Sequence, residues 1–389
     1  MQSFNLKLPK LEFGAGKIKI LPNIIKKYGN SVLLVTGERS LQDSGLLSSI
    51  TSEIEKQGIS LYHATVSGEP TPELIDSVVS DYKNKNLSCV CSIGGGSAID
   101  TGKAVAAMLK EEVSVINFLE GVGDKNPSGK TLPFIAVPTT AGTCSEATKN
   151  AVISRVKKNG FKKSLRHDNY VPEVAIIDPV LTLSCSRSVS AASGLDALSQ
   201  IMEGYVSTKA TPFTDALAID AVGKILKALP LVCTTRPEDI NLREDLSYAA
   251  FISGIALAHA GLATPHGLAS EIGAIVNAPH GLICGNLIAP WVEKTINKLL
   301  VANNQEGLNK FLNIARIICG ETEKNKETLL NKFIKELYLL AKTLELPSLK
   351  KYEFTENELK HIAEVSGDKN NPVAFTTEER LQILKITLK

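Results

Sequence analysis

A Gly-Gly-Gly-Ser stretch at residues 94–97 stands between an apolar run and an alanine-rich segment, where it could bind phosphate. The run at residues 87–93 predicts a buried strand, and the segment at residues 98–108 predicts a helix. A strand, a glycine turn and a helix present backbone N–H groups and a helix N-terminus to an anion, and glycines let a phosphate approach the backbone. Because the spacing differs from the GxGxxG fingerprint, a simple tight turn remains an alternative explanation at this point.

The elements that would hold this turn predict a parallel α/β sheet. Short apolar runs predict strands at residues 31–36, 59–65, 87–93, 132–137 and 174–177. Helices are expected between them, among them one at residues 41–56 and one that Thr71 caps and Pro72 opens. Strands that alternate with helices at this spacing are typical of a parallel sheet. Residues 151–165 instead predict a hairpin that turns at Asn159 and Gly160.

The second half of the chain predicts an all-helical domain. Alternation typical of strands disappears after about residue 182, and long segments rich in Ala, Leu and Ile follow. They predict helices at residues 190–206, 212–229, 242–262, 282–300, 305–318, 325–344 and 355–365. We therefore predict two domains, at residues 1–184 and 185–389, because the chain is long enough for two separate cores.

Bulk composition argues against several classes of partner. The 389 residues carry a formal net charge of +2, so no nucleic acid partner is expected. No apolar run reaches about 18 residues and the N-terminus has no apolar signal segment, so neither a membrane span nor secretion is expected. None of the seven cysteines forms a CxxC pair, and Cys89 and Cys91 point the same way on a predicted strand. Buried, reduced thiols in a cytoplasmic protein are therefore expected.

Four stretches together are similar to one family. They are GGGSAIDTGKA (residues 94–104), PTTAGTCSE (138–146), SGLDALSQIMEGYVS (193–207) and NAPHG (277–281). In this order and spacing they resemble the iron-containing, or group III, alcohol dehydrogenases over nearly the whole chain. The resemblance implies a Rossmann-like dinucleotide-binding domain and a helical metal-binding domain. It also implies NAD(P)-linked hydride transfer between a small alcohol and its aldehyde, by a homo-oligomer that is a dimer or larger.

The resemblance assigns the nucleotide to nine residues of the first domain, namely Gly94, Gly95, Gly96, Ser97, Asp100, Thr139, Thr140, Thr143 and Lys162. The glycine turn would hold the pyrophosphate, the threonine loop would lie at the nicotinamide end, and Lys162 would reach the ribose. For Asp100 and Lys103, an ordinary i,i+3 pair on a solvated helix face is the alternative. Cys144 departs from the family's usual glycine, at a position where the backbone can need a positive φ.

Another departure concerns the adenosine ribose. Many members that prefer NAD have an aspartate where this chain has Gly37, and a carboxylate there repels a 2′-phosphate. Arg39 lies two residues further on, where a guanidinium could pair with a phosphate. We therefore expect NADP(H) to be accepted at least as well as NAD(H). The alternative is that Arg39 is a solvated turn residue and Gly37 a glycine at a helix entry.

The resemblance also assigns one divalent metal, Fe²⁺ or Zn²⁺, to Asp196, His266 and His280, which would be the catalytic residues. Asp196 and position 200 share a face of a predicted helix, but the family's usual histidine at position 200 is Gln200 here. An amide oxygen is neutral, as imidazole is, but it is a poorer ligand for these metals. The sequence therefore predicts a weaker or exchangeable metal site with Gln200 beside it.

Proton transfer and the reaction class stay open. Ser270 stands where the family often has a histidine linked to proton transfer, so water, the cofactor ribose or His259 would carry the proton. One alternative function is a lyase-type cyclase related to dehydroquinate synthase, which shares the fold and the metal. Another is a metal-free member that binds nucleotide without turnover, which Gln200 and Ser270 would allow. The PTTAGT and GLDAL motifs favour an alcohol dehydrogenase or aldehyde reductase.

Overall fold

A computed structural model of the chain describes residues 5–157, 160–320 and 323–388. These residues fold into two compact units, of which the first comprises residues 5–155 and 160–185. The second unit comprises Val156 and Lys157 together with the chain from residue 186 onward, within the described ranges. Along the sequence the chain therefore passes from the first unit to the second after residue 155 and again after residue 185.

The first unit is built on a parallel sheet. Its strands are β1 (Lys10–Phe13), β2 (Ser31–Gly37), β3 (Ser60–Val66), β4 (Cys89–Gly94), β5 (Phe134–Pro138), β6 (Asn150–Arg155), β7 (Phe161–Arg166) and β8 (Val174–Ile177). Six of them form one all-parallel sheet in the order β1-β8-β5-β4-β2-β3, whereas β6 and β7 pair antiparallel as a separate hairpin. The predicted α/β class is confirmed. β1 was not among the predicted strands, because its four residues mix charged and apolar types and none is buried.

Helices cover both faces of this sheet. They are α1 (Leu21–Tyr28), α2 (Ser40–Asp43), α3 (Leu46–Lys56), α4 (Pro72–Tyr82) and α5 (Gly96–Met108). Short 3₁₀ helices occupy Lys17–Ile20, Val115–Phe118, Ser145–Ala147, Asp168–Tyr170 and Pro179–Thr182. Successive side chains of β2 point to opposite faces, so Leu33 and Val35 enter one buried cluster and Val32 and Leu34 enter the other.

Three local predictions in this unit have different outcomes. The cap of α4 is confirmed, because the Thr71 hydroxyl accepts a hydrogen bond from the N–H of Leu74. A single helix over residues 41–56 is wrong, because Gly45 adopts a left-handed conformation (φ 72°) and separates α2 from α3. The hairpin is present as β6 and β7, but Asn159 of its predicted turn lies outside the described residues.

The second unit consists of helices in its described ranges. They are α6 (Arg187–Val206), α7 (Pro212–Thr234), α8 (Ile240–His259), α9 (Thr264–Ile275), α10 (His280–Val301), α11 (Gln305–Cys319), α12 (Lys326–Thr343), α13 (Glu356–Val365) and α14 (Thr377–Thr387), with a 3₁₀ helix at Leu349–Tyr352. Helix α6 lies at the centre, and most of its residues are buried. The predicted all-helical domain is confirmed, although α14 was not predicted and, for α9, the sequence predicted only its start at Thr264 and Pro265.

Prolines explain one error in the predicted helix ends. The sequence predicted that the helix from Pro212 ends at Leu229, before Pro230, but α7 continues through Pro230 to Thr234. Helix α10 likewise contains Pro290 in its interior. Neighbouring helices bury these segments, so packing outweighs the lost backbone hydrogen bond. Among the described helices, none alone is long and apolar enough to cross a membrane, although α8 and α9 meet that test together as a pair bent by 97°.

Candidate metal centre and phosphate-binding turn

Three helices bring the predicted metal ligands together. Asp196 lies in the buried middle of α6, His266 in the first turn of α9, and His280 is the first residue of α10. Helix α10 approaches α6 closely at Gly281, where a Cβ atom would lie 2.2 Å from the carbonyl oxygen of Ala192. Glycine permits that approach because it has no Cβ. His280 is thereby held against the turn of α6 that carries Asp196.

The donor atoms of four side chains converge on one small volume. His266 Nε2 lies 3.4 Å from Asp196 Oδ1, and His280 Nε2 lies 3.9 Å from the same oxygen. Cys284, which was not predicted as a site residue, places its Sγ 3.6 Å from each imidazole Nε2. The donor atoms of these four residues all lie within 4.8 Å of one another. Oxygen, nitrogen and sulfur donors at such separations suit a divalent transition metal.

Asp196 supplies the test of whether a metal fits this cluster. Its side chain is 1% exposed, and neither carboxylate oxygen has a hydrogen-bond partner among the described residues. A buried carboxylate without partners is costly, so such groups are normally paired with a cation or bound to a metal. The two imidazoles face it with their Nε2 atoms 3.4 Å and 3.9 Å from Oδ1, in the positions that co-ligands of one ion would take. The donor set therefore fits the metal that the sequence predicts.

Glu203 orients the imidazole of His266. Its carboxylate lies 2.7 Å from His266 Nδ1 and also accepts hydrogen bonds from the Ser199 hydroxyl and the N–H of Ala263. A proton on Nδ1 leaves the lone pair of Nε2 directed at Asp196 and Cys284. Carboxylate–histidine–metal chains of this type fix the tautomer and strengthen the ligand.

The charges in this cluster are strongly coupled. Burial alone would raise the pKa of Asp196, but His280 and His266 outweigh it and hold that pKa below the ordinary value. Burial likewise opposes ionisation of Glu203, yet His266 lowers its pKa. Against its own burial, His266 has a raised pKa, because Cys284, Glu203 and Asp196 surround it. Without a metal, a protonated His266 would balance the two buried carboxylates.

Burial keeps Cys284 protonated in the absence of a metal. It raises the pKa of the thiol to about 12, even though His266 acts in the opposite direction. A metal ion at this position would change that balance, because a coordinated thiol is deprotonated outright.

The remaining predicted residues of the helical unit lie close by in sequence but make other contacts. Gln200 is buried one turn after Asp196, and its Oε1 accepts a hydrogen bond of 2.7 Å from the Ser253 hydroxyl. The Ser270 hydroxyl donates to the carbonyl oxygen of His266. That backbone contact gives Ser270 a local structural partner. His259 is the last residue of α8.

The sequence analysis did not predict Cys284 of the cluster or Glu203 behind His266, although both have a spacing signal. Cys284 follows His280 by four residues and shares its helix face, and Glu203 follows Asp196 by seven, two turns along the same face. Neither was predicted, because the family spacing singles out histidines and one motif aspartate. Cysteine in a helix is more often a small buried hydrophobe.

The predicted phosphate turn has the local geometry that an anion needs. Strand β4 ends at Gly94 and helix α5 begins at Gly96, with Gly95 as its N-cap. Gly95 has no side chain to cap this helix N-terminus, no side-chain cap is present among the described residues, and Gly95, Gly96 and Ser97 are only half-buried. Uncapped N–H groups and the helix dipole together favour a phosphate group at this end.

The threonine loop lies directly against the glycine turn. The N–H of Thr139 donates to the carbonyl oxygen of Gly94, and a Cβ on Gly96 would lie 2.6 Å from Thr143 Oγ1. A Cβ on Gly95 would lie 3.5 Å from Thr140 Cγ2, an ordinary van der Waals contact. The structure thus brings together the glycine turn and all three predicted threonines at the carboxyl end of the sheet, where doubly wound folds bind ligands.

The solvated helix pair considered for Asp100 and Lys103 is wrong. Lys103 is 1% exposed, and its ammonium donates to the carbonyl oxygens of Ser145 (2.7 Å), Thr148 (2.8 Å) and Asn150 (2.8 Å). Asp100 accepts hydrogen bonds from the Ser145 hydroxyl and from the backbone N–H of Val152. Both side chains face inward and fasten the segment that follows the threonine loop, which indicates a positioning role.

Lys162 and Cys144 also have defined surroundings. Lys162 lies on β7 and forms a largely buried ion pair with Glu69, which also accepts a hydrogen bond from the Ser154 hydroxyl.

Cys144 adopts the left-handed backbone conformation expected for a position where glycine is usual, with φ 57° and ψ 11°. The loop therefore keeps this conformation despite the strain that a side chain adds.

The backbone at Gly37 has open space beside it. Gly37 is the last residue of β2, and a Cβ built on it would have no heavy atom within 4 Å. Arg39 is exposed, and Glu38 between them accepts a hydrogen bond from the Ser67 hydroxyl. An aspartate at position 37 would therefore fit without steric conflict.

Gly95 allows a clean test of the phosphate turn. We expect Gly95→Val to fold, because φ −73° and ψ −177° suit any residue, and to weaken NADPH binding by at least about tenfold, or 1.4 kcal/mol. The β-branched side chain would occupy the approach of the phosphates. Fluorescence titration gives the Kd, and urea unfolding gives the stability. Gly96→Ala is the contrasting variant, since its Cβ meets Thr143 and should reduce stability as well. If folded Gly95→Val binds NADPH with the wild-type Kd, this turn is not the phosphate-binding site.

Comparison with known proteins assigns the chain to a family. The model of the iron-containing alcohol dehydrogenases matches residues 9–179, and that of their C-terminal domain matches residues 190–388. Alcohol dehydrogenase 4 of Saccharomyces cerevisiae is 31% identical over 382 residues, covering 96% of this chain and 95% of that protein. The chain belongs to the iron-containing alcohol dehydrogenase family. The resemblance stated from the sequence is confirmed.

Other members of the family extend over the same length. The NAD-dependent methanol dehydrogenase of Bacillus methanolicus is 29% identical and is matched over 98% of both chains. The structure of sulfoacetaldehyde reductase from Bifidobacterium kashiwanohense, in complex with NAD⁺, aligns with a TM-score of 0.86 at 26% identity, covering 100% of each chain. Membership makes the protein an NAD(P)-linked oxidoreductase of the alcohol dehydrogenase and aldehyde reductase class. It also implies a nicotinamide dinucleotide and a divalent metal.

Proposed function

We propose that this family member is a metal-dependent reductase of small aldehydes, reversible as an alcohol dehydrogenase, in which Asp196, His266 and His280 hold the metal. The observation that supports this most directly is the buried carboxylate of Asp196, which has no hydrogen-bond partner in the described chain and faces two imidazoles. A divalent metal held there would supply Lewis acidity toward a carbonyl or alcohol oxygen. Asp196 and the histidines would bind and orient it.

The residues around the cluster would prepare it for that role. Glu203 would keep the proton of His266 on Nδ1 and so leave Nε2 free to coordinate. Ser270 would not relay a proton, because its hydroxyl donates to the backbone of its own helix. Water, the cofactor ribose or His259 would carry the proton instead. Burial of Asp196 and His266 excludes water from one side of the cluster, whereas the side chain of His280 is 26% exposed.

The first unit would bind the dinucleotide. A nicotinamide supplies the hydride in this class of reaction. Residues 94–97, at the N-terminus of α5, would bind the pyrophosphate. Thr139, Thr140 and Thr143 would contact the neighbouring part of the cofactor. Asp100 and Lys103 would hold the threonine loop in position, and Lys162, with its partner Glu69, would approach the ribose.

We further propose domain limits at 1–184 and 185–389, a cytoplasmic location and a homo-oligomer of two or more subunits.

Metal analysis and an absorbance assay together test the proposal. We expect purified protein to contain about one divalent metal per chain and to oxidise NADPH in the presence of short-chain aldehydes, with the activity lost after chelation and restored by metal. Metal-free protein that binds NADPH without turnover would instead support the nucleotide-binding alternative. Turnover of a sugar-acid phosphate without net consumption of the nicotinamide would favour the cyclase. Sulfonated and unsubstituted aldehydes belong in the panel, since both substrate types occur among the relatives named above.

The cofactor preference depends on Gly37. We propose that wild-type protein accepts NADPH at least as well as NADH, because Gly37 leaves room and Arg39 supplies a cation. Gly37→Asp should shift the ratio of kcat/KM values toward NADH by about tenfold or more, or 1.4 kcal/mol. Measurement of kcat/KM for both cofactors with one aldehyde checks this. A tenfold preference of wild type for NADH contradicts the proposal, and an unchanged ratio in Gly37→Asp shows that the preference is set elsewhere.

A further inference from the structure

We propose that Cys284, in place of Gln200, is the fourth protein ligand of the metal centre, so that the site is a zinc site with two nitrogen, one oxygen and one sulfur donor. The inference rests on the proposed function and refines its metal site. Cys284 lies one turn after His280 on α10, and both side chains therefore lie on one face of that helix. It is fully buried and belongs to the cluster of four donor atoms within 4.8 Å.

The distances in the cluster are those that a tetrahedral zinc ion imposes on its ligands. With Zn–N of about 2.0–2.1 Å and Zn–S of about 2.3 Å, tetrahedral angles separate nitrogen and sulfur by about 3.6 Å. Cys284 Sγ lies 3.6 Å from the Nε2 atoms of both His266 and His280. The same geometry separates nitrogen and oxygen by about 3.4 Å. His266 Nε2 and Asp196 Oδ1 are 3.4 Å apart, whereas His280 Nε2 and Asp196 Oδ1 are 3.9 Å apart, so three of these four separations match those around a tetrahedral ion.

Gln200 is the weaker candidate for the fourth position. Its Oε1 accepts a hydrogen bond of 2.7 Å from Ser253, a residue of α8 that takes no part in the cluster. Gln200 is 2% exposed, so breaking that contact would leave buried polar groups to find new partners. An amide oxygen would also gain less from a borderline metal than a thiolate does.

The chemistry of the donor atoms supports the same assignment. Coordination requires the thiolate, so the thiol proton of Cys284 is released to solvent as the metal binds. The thiolate and the carboxylate of Asp196 then match the two positive charges of the metal within its ligand set, and Glu203 adds one negative charge behind His266. Thiolate and imidazole donors favour zinc over magnesium or manganese, which prefer oxygen. A centre of this composition differs from the weak, exchangeable site that Gln200 alone would give.

Cobalt substitution tests the assignment without relying on catalysis. Wild-type protein is freed of metal, loaded with Co²⁺ and examined by absorption spectroscopy, where a thiolate ligand gives an intense near-ultraviolet charge-transfer band. We expect this band in wild type and its loss in Cys284→Ala. Cys233→Ala is the matched control, because Cys233 is another buried cysteine of the helical unit and lies outside the cluster. It should keep the band.

Zinc release to a chelator gives a second measurement. We expect Cys284→Ala to lose zinc at least about tenfold faster than wild type, since loss of a residue that merely supports a ligand already costs about 10–100-fold in metal affinity. Absence of the band in cobalt-loaded wild type, or its persistence in Cys284→Ala, overturns the assignment. If wild type lacks the band yet reduces aldehydes in a metal-dependent manner, only this inference fails. If the band is present and no aldehyde is reduced, the proposed function fails instead.

Discussion

His266→Ala is expected to abolish metal retention and to lower kcat/KM for aldehyde reduction by about 10³-fold, or about 4 kcal/mol. The substitution removes one ligand and the only imidazole that Glu203 orients within the described structure. It also leaves the buried Glu203 without the imidazole that lowers its pKa, and leaves the buried Asp196 with His280 but without the second imidazole that lowers its pKa. Breaking a buried charge pair in this way typically costs about 3–5 kcal/mol of folding stability. Bound metal is measured by elemental analysis and stability by urea unfolding.

His280→Ala is the matched comparison for this prediction. Glu203 pairs with His266, whereas His280 is more exposed, so the loss of His280 should reduce metal binding and activity to a similar extent while costing less stability. Equal stability losses in the two variants would show that the Glu203 pair contributes little. If His266→Ala keeps its full metal content and activity, this cluster is not the catalytic centre.

Lys103→Met is expected to lower the free energy of unfolding by about 3–5 kcal/mol and to weaken NADPH binding. Methionine has a similar length but no donor, so the carbonyl oxygens of Ser145, Thr148 and Asn150 would lose a shared partner. The loop that carries Thr143 would then lose its attachment to α5. Urea unfolding and NADPH titration measure the two effects. Lys27→Met, at an exposed position, serves as control and should change neither.

The pH dependence of this variant provides an independent check. Burial lowers the pKa of Lys103 to about 8, below the ordinary value of 10.5. Between these two values the unfolded chain binds more protons at this group than the folded chain, so its contribution to stability rises with pH. The stability difference between wild type and Lys103→Met should therefore widen from pH 8 to pH 10.5. A difference that stays constant would mean that Lys103 has the same pKa in the folded and unfolded states.

The sequence predicted those parts of the fold that local patterns determine. The apolar run of β2 and the Thr71 cap of α4 each lie within one element, and both predictions are confirmed. The continuation of α7 through Pro230 depends on the helices packed around it, which no local pattern reveals. The inward direction of Lys103 is a similar case, since an i,i+3 spacing shows which residues share a face and not what covers that face.

The candidate site likewise combines residues that sequence patterns predicted with residues that only helix packing brings together. Family spacing singled out Asp196, His266 and His280, and the structure brings their donor atoms together. The position of Cys284 relative to the imidazoles depends on how α9 and α10 are packed, so no sequence pattern singled it out. The hydrogen bond between Gln200 and Ser253 joins residues 53 positions apart on two different helices, so the sequence did not predict it either.

The close approach of α10 to α6 at Gly281 makes the centre a long-range cross-link of the chain. Asp196 and His266 are separated by the whole of α7 and α8, so an ion bound to both would close a loop of 70 residues. Closing long loops restricts the unfolded chain, and a ligand bound only by the folded state shifts the folding equilibrium toward it. The helical unit would then owe part of its resistance to unfolding to the concentration of free metal. The concentration of that ion would then determine the lifetime of the folded protein as well as its catalytic rate.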